Sequence, residues 1–103
     1  MKTVDVRSAA TGSRSAMICK PSDSVAIALK PVEAGDLLRV VVDDKPLEIR
    51  LLGPLPTFHK FAVHRIPAGQ VVLKQGEAIG VALRDIAPGE HVHVHNLSSL
   101  RAR

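Results

Sequence analysis

The sequence contains few aromatic residues, one cysteine and no long apolar run, and each shortage excludes a class of protein. The aromatic content is 2%, from Phe58 and Phe61 alone, so aromatic platforms on which nucleic-acid bases stack are excluded. Cys19 has no cysteine partner for an internal disulfide, and the sequence contains no CxxC pair of the kind that would indicate a structural zinc. No apolar run approaches the roughly 20 residues of a membrane span or forms the core of a signal peptide. We therefore expect a cytoplasmic protein that does not contact a membrane.

The net charge of +4 is concentrated at the two ends of the chain. Residues 1–16 and 98–103 together hold five basic side chains and one acidic one. Residues 17–97 hold nine of each sign and are neutral overall. A nucleic-acid-binding domain carries its basic residues on one folded face, so the sequence predicts no nucleic-acid partner.

The length of 103 residues is enough for one domain. Residues 1–16 show neither a helical nor a strand period, and we predict a flexible leader there, with Met17 as an alternative start. Residues 98–103 are predicted to be a flexible tail. The folded domain is then expected over residues 17–97.

Short apolar stretches alternate with turn signals through the predicted domain, and the prolines fall between these stretches or at their edges. Seven short strands at about ten-residue spacing predict an all-β domain with tight Gly/Pro turns. The predicted strands are 25–29, 37–42, 47–52, 61–66, 70–73, 78–83 and 91–97.

A weak internal repeat places a glycine after a small or proline-containing turn and before a strand. Its three copies are "VEAGDLLRV" from 32, "IPAGQVVLK" from 66 and "IAPGEHVHV" from 86. The repeated glycines are predicted to take positive φ. Gly76 is expected in a hairpin turn, and Gly80 inside a strand indicates a bulge or a close backbone approach.

Three histidines alternate with valines in "HVHVHNL", residues 91–97. In one strand, His91, His93 and His95 would share a face about 6.6 to 7 Å apart, with Val92 and Val94 inward. Two imidazoles at this spacing can lean onto one ion, so we predict His93 and His95 as metal ligands, completed by an outside ligand. The alternative is an exposed polar strand face without a ligand.

The stretch "HKFAVHRIPAGQVVLKQGEAIGVALRDIAPGEHVHVHNL", 59–97, resembles the SAF domain of the altronate and galactarate dehydratase family, which includes the sulfolactate sulfo-lyase small subunit. The stretch 20–36 resembles the opening of that domain, and "GEHVHVHN" is the most specific match. Two positions depart from the pattern: Phe58 stands where the family has glycine, and Gln75 stands where it has tyrosine.

The resemblance implies a β-clip fold and the role of a small accessory subunit in a carbon–oxygen or carbon–sulfur lyase. That subunit would complete or cover the active site of a larger catalytic subunit, and would be inactive alone. The implied cofactor is a divalent metal, iron or similar, shared with the partner. His93, His95 and His59 are candidate bases or ligands, Lys60 would hold a carboxylate, and Asn96 would bond a sugar hydroxyl.

Two other classes of function stay open at this point. A stand-alone, non-catalytic SAF module would bind a sugar acid or a protein partner, and a zinc- or iron-binding β protein would need no partner. We also expect a homo-oligomer, because exposed strand edges can pair with a second copy of the chain.

Other polar residues have structural interpretations. His64 is expected to be a strand-edge histidine, Cys19 a buried thiol and Asp85 the cap of a turn. The pair Asp43 and Asp44 is expected in a hairpin turn.

Overall fold

The computed structural model describes residues 2–6, 14–42 and 45–99, and this part of the chain is all-β, as predicted. It contains no helix long and apolar enough to cross a bilayer. The strands are β1 Lys2–Val6, β2 Arg14–Ile18, β3 Val25–Ala28, β4 Leu37–Val42, β5 Lys45–Arg50, β6 Lys60–Ala62, β7 Val71–Lys74, β8 Glu77–Ala82, β9 His91–Val92 and β10 Leu97–Ser99.

The strands form two sheets in which every described pair of neighbours is antiparallel. The larger sheet has seven strands in the order β5-β4-β1-β2-β3-β6-β9, and the smaller has three in the order β10-β8-β7. The predicted strand 37–42 agrees with β4 at both ends. The segment 91–97 differs, because it is divided between β9 and β10.

The ends of the chain also differ from the predicted boundaries. Strand β1 lies between β4 and β2 and pairs with both, so the sheet already includes residues of the predicted leader. Backbone pairing on two sides fixes this strand without the strong side-chain alternation on which the prediction relied. At the other end, β10 extends to Ser99 and pairs with β8. Residues 7–13 and 100–103 lie outside the described part of the chain.

Two hydrophobic clusters form the core, and all of their members except Phe61 are aliphatic. Strand β6 contributes to both, because Phe61 belongs to the first cluster and Ala62 to the second. The first cluster consists of Ala16, Ile18, Ala26, Ala28, Val32, Leu38, Val40, Ile49, Leu51, Leu55, Phe61 and Val63. The second consists of Val25, Ala62, Ile66, Val72, Ala82, Ile86 and Val92, with Ile79 and Leu97 packed against it.

The internal repeat is a tight turn that occurs four times in the described chain. Each copy begins at a buried aliphatic residue, and these residues pair in two isolated bridges, Val32 with Leu55 and Ile66 with Ile86. If the aliphatic residue is position 1 of a copy, the backbone N–H of position 5 donates a hydrogen bond to the carbonyl of position 2. The donor–acceptor distance is 3.0 to 3.2 Å in all four copies. The predicted positive φ is confirmed at Gly35, Gly69 and Gly89.

The fourth copy, which starts at Leu55, has a phenylalanine in the glycine position. Phe58 takes a φ of 68° there, and its side chain is 72% exposed. Its N–H bonds to the Ala28 carbonyl at 2.7 Å, and the Ala28 N–H bonds to the His59 carbonyl at 2.9 Å. This turn therefore presents His59 and Lys60 at the start of β6.

The hairpin between β7 and β8 confirms the expectations for its glycines. Gly76 has positive φ at the tip. The pairing of the two strands shifts register after Val72, opposite Gly80, and a side chain at Gly80 would collide with Leu97 and Ser98 of β10. The expected turn at Asp43 and Asp44 lies outside the described residues.

Candidate histidine and lysine site

The pairing of β6 with β9 brings distant histidines together. Lys60 pairs with Val92, and Phe61 pairs with His91. One step further in the same antiparallel register places His59 opposite His93. Residues more than thirty positions apart in the chain therefore meet at the end of this strand pair.

Four of the five histidines form one cluster at this point. His59 Nδ1 lies 2.8 Å from His91 Nε2, a hydrogen bond between two imidazoles. The rings of His59 and His93 are stacked with centroids 4.8 Å apart, and those of His91 and His93 with centroids 5.4 Å apart. His95 contacts the cluster through His91, with ring centroids 5.6 Å apart.

The segment after β9 is a turn, so the prediction of one histidine-bearing strand over 91–97 was wrong. The buried Asn96 side chain accepts the His93 N–H at 3.0 Å and donates to the His91 carbonyl at 2.8 Å. A continuing strand would use these backbone groups in its ladder. Val92 is buried as predicted, but Val94 is 76% exposed because it lies in the turn.

Asn96 also donates to Glu90 Oε2 at 3.2 Å, and its side chain is 0% exposed. All its bonds in the described chain are internal. The geometry therefore favours a positioning role for Asn96 over the predicted bond to a substrate hydroxyl.

The electrostatics at His91 favour a neutral imidazole there. Burial is the largest cause that lowers the pKa of His91 below its usual range. Protonated neighbouring imidazoles and the Lys60 ammonium would repel a proton on His91, which lowers its pKa further. A neutral imidazole offers the lone pair that a metal ion requires.

The donor set that fits a metal ion is His59, His91 and His93. One nitrogen from each ring lies within 4.8 Å of the others. Three imidazoles suit zinc, iron and similar divalent ions and leave coordination positions for a substrate or a further ligand. The predicted pair, His93 and His95, shares His93 with this donor set, whereas His95 lies in the turn that follows the end of β9 at Val92.

A cleft of about 710 Å³ opens beside the cluster. Lys60, Lys74 and His93 line it, with Glu77 as the acidic residue among its lining groups. Burial lowers the pKa of Lys60 below its usual range, and the neighbouring Lys74 ammonium lowers it further. The predicted site residue Lys60 therefore lies between the histidine cluster and the cleft.

Of the residues with structural interpretations, Asp85 takes the expected role, whereas His64 lies beyond the end of β6 and not at a strand edge. His64 is exposed, and its Nδ1 lies 2.8 Å from the Arg65 carbonyl oxygen. Asp85 accepts the Ala68 N–H at 2.8 Å and pairs with Arg65 at 2.9 Å, so it caps a repeat turn. Cys19 is a free thiol that is only half-buried.

Sequence reasoning missed His91 and Lys74 as site residues and Asp23 as a buried anchor. Asp23 is 2% exposed and accepts the N–H groups of Gln75 and Gly76 at 2.9 Å each. These bonds hold the tip of the β7–β8 hairpin next to Lys74. The register of β6 against β9, which unites His91 with His59, could not be derived from sequence spacing alone.

Comparison with known proteins identifies the family of this chain. The family described as the altronate/galactarate dehydratase SAF domain matches residues 14–100. The (2R)-sulfolactate sulfo-lyase subunit alpha of Chromohalobacter salexigens is 34% identical over 77 residues, which cover 73% of this chain and 82% of that protein. The protein of the same name from Paracoccus pantotrophus is 34% identical over 62 residues, 60% of this chain and 92% of the relative.

A much longer relative shows the same similarity over a small part of its length. Altronate dehydratase of Escherichia coli is 43% identical over 74 residues, which are 72% of this chain but 14% of the enzyme. The similarity therefore extends to a whole subunit in one set of relatives and to a single domain in another. On the match across residues 14–100, this chain belongs to the altronate/galactarate dehydratase SAF domain family.

Proposed function

We propose that this chain is the small accessory subunit of a lyase of the altronate/galactarate dehydratase or sulfolactate sulfo-lyase type. Its histidine cluster completes or covers the active site of a larger catalytic subunit. Two relatives that this chain covers over 82% and 92% of their length are named as subunits alpha, which supports a multi-subunit enzyme. The expected location is the cytoplasm, where sugar acids and sulfonates are metabolised.

The observation that carries this proposal is the imidazole triad of His59, His91 and His93 next to an open cleft. It provides three donors on one edge of the domain and leaves coordination positions unfilled by this chain. A site of this kind suits an active-site edge that another polypeptide completes.

We propose that the triad holds a divalent metal, iron or similar, at the boundary with the larger subunit. When bound, the ion supplies a Lewis acid that stabilises negative charge on a carboxylate-containing substrate. Asn96 keeps His91 and His93 in position by bonding their backbone groups. Outer contacts of this kind fix the orientation of metal-binding side chains.

The reaction would be elimination from a hydroxy or sulfo acid. A base removes the proton α to the carboxylate, a carbon–carbon double bond forms, and the bond to the β hydroxyl or sulfonate breaks to release water or sulfite. His95, which contacts His91 outside the triad, is the candidate in this chain for moving that proton. The residues that distinguish the substrates would lie mainly on the larger subunit.

Co-purification of the untagged chain from its native host tests the proposal. We expect a larger lyase subunit to accompany the chain, and the mixture to convert altronate, galactarate or (2R)-sulfolactate. The chain alone should be inactive on all three acids. Robust turnover by the purified 103-residue chain, or no associated lyase subunit, would contradict the proposal and favour a stand-alone binding module.

A further inference from the structure

The cleft beside the histidine cluster is lined by both cationic and apolar side chains. Lys60 and Lys74 provide two ammonium groups, and His93 joins this lining to the cluster. Ile79, Val94 and Leu97 are the larger apolar residues of the lining. Its volume of about 710 Å³ falls within the common range of small-molecule sites, about 300 to 1,000 Å³.

The positive charge of the two lysines is not neutralised within the described part of the chain. The ion pairs found there join Arg65 to Asp85 and Arg84 to Glu90, and neither involves a lysine of the cleft. Glu77 lines the cleft and faces Lys74 across the hairpin, but one carboxylate balances only one of the two cations.

Two half-buried cations held together are stabilised when an anion enters between them. Lysine is a compact point charge that suits carboxylate, sulfonate or phosphate. The described cleft lining contains no Phe, Tyr or Trp ring on which a nucleotide base would stack, and the imidazole of His93 is already stacked on His59 and His91. The site is therefore suited to a small aliphatic acid, with its carbon chain against apolar residues of the lining.

We propose that Lys60 and Lys74 bind the anionic end of a small hydroxy acid in this cleft, with the rest of the molecule extending past His93 towards the histidine cluster. Lys74 is thereby assigned as a binding residue. The assignment rests on the proposed function for the class of acid, since altronate, galactarate and sulfolactate are all aliphatic anions. It differs from that proposal in requiring no partner subunit, because the cleft lies within this chain.

Nuclear magnetic resonance titration of the ¹⁵N-labelled chain tests the site directly. Galactarate is the probe, and galactitol, which has the same carbon chain without carboxylates, is the matched neutral control. We expect galactarate to shift the amide signals of residues around Lys60, Lys74 and His93, and the affinity to fall as salt is added. Galactitol should bind at least tenfold more weakly.

Three variants distinguish binding of galactarate by these two lysines from a general effect of the net charge of the protein. Lys60→Met and Lys74→Met keep the length of the side chain and should each weaken galactarate binding by tenfold or more. Lys30→Met removes one charge from an exposed position outside the cleft and should bind like the wild type. Unchanged amide spectra away from the cleft will show that the variants are folded.

The inference is overturned if galactarate does not bind at millimolar concentration, if galactitol binds equally well, or if the cleft variants bind like Lys30→Met. Its failure is distinguishable from failure of the proposed function. A chain that co-purifies with a lyase subunit but binds no galactarate contradicts only the cleft assignment. A chain that binds galactarate through both lysines but has no lyase partner contradicts only the subunit assignment.

Discussion

At the scale of single residues, Asn96 determines the shape of the histidine cluster. Its buried side chain accepts from the His93 N–H and donates to the His91 carbonyl and to Glu90. These bonds end β9 after two residues and place His93 in a turn instead of a strand. The amide is needed specifically, because it provides an acceptor on one side and donors on the other.

The isosteric substitution Asn96→Asp tests this role. The new carboxylate can still accept from His93 N–H, but it faces the His91 carbonyl and the Glu90 carboxylate without a hydrogen to donate. We expect a loss of roughly 2 to 4 kcal/mol in the free energy of unfolding at pH 7. Because protonation restores a donor, the deficit relative to wild type should shrink at pH 4. Urea denaturation at the two pH values measures this deficit in the free energy of unfolding. A loss below about 0.5 kcal/mol at pH 7 would contradict the positioning role of Asn96.

At the scale of elements, the repeated tight turn explains both the success and the failure of the sequence reasoning. Three copies could be identified in the sequence by their glycines, because the positive φ at this position of the turn favours glycine. The fourth copy was missed, because Phe58 adopts the same backbone without that marker. The period of two in the histidine segment predicted a strand, but the side chain of Asn96 takes the backbone groups of His91 and His93.

The pairing of distant elements was beyond the reach of the sequence for a related reason. Spacing constrains neighbours along a strand, whereas the cluster depends on the register of β6 against β9 and on a turn at Phe58. The all-β class follows from local patterns, so it could be predicted. The triad of His59, His91 and His93 follows from long-range pairing, so spacing identified only His93 as a ligand, and His59 became a candidate base or ligand through the family resemblance.

Two glycines in equivalent turns give a matched pair of substitutions. Gly69 and Gly89 share a φ of 84°, but a Cβ at Gly69 meets open space, whereas at Gly89 it would collide with the Arg50 carbonyl. Gly69→Ala should cost about 1 to 2 kcal/mol from backbone strain alone. Gly89→Ala should cost at least about 2 kcal/mol more, because Arg50 must shift. Urea denaturation compares them, and equal losses would contradict the packing of this turn against β5.

At the scale of the whole molecule, the chain unites a donor triad and a cationic cleft on one small domain. Its family occurs as a separate subunit in some relatives and as a small part of a longer enzyme in others. Both arrangements place the domain beside a larger polypeptide. An incomplete site at the edge of the domain is consistent with that position.

Metal analysis of the untagged chain distinguishes the triad from the pair predicted by sequence spacing. After loading with Fe²⁺ without oxygen, we expect about one ion per chain, from one three-histidine site. Substitution of His59, His91 or His93 by alanine should weaken binding by roughly tenfold or more. His95→Ala should retain the metal, and His64→Ala serves as the control at an exposed histidine. Loss of metal in His95→Ala with retention in His59→Ala would support the spacing-based pair instead.

The most direct test of the central claim is the lyase activity of the chain reconstituted with the larger subunit that co-purifies with it. His91→Ala is compared with His64→Ala, because both remove one histidine but only His91 belongs to the triad. We predict that the His91→Ala complex assembles normally but has kcat lowered by about 100-fold or more, while the His64→Ala complex matches the wild type. Equal activity of the two assembled complexes would contradict the claim that this histidine cluster forms part of the lyase active site.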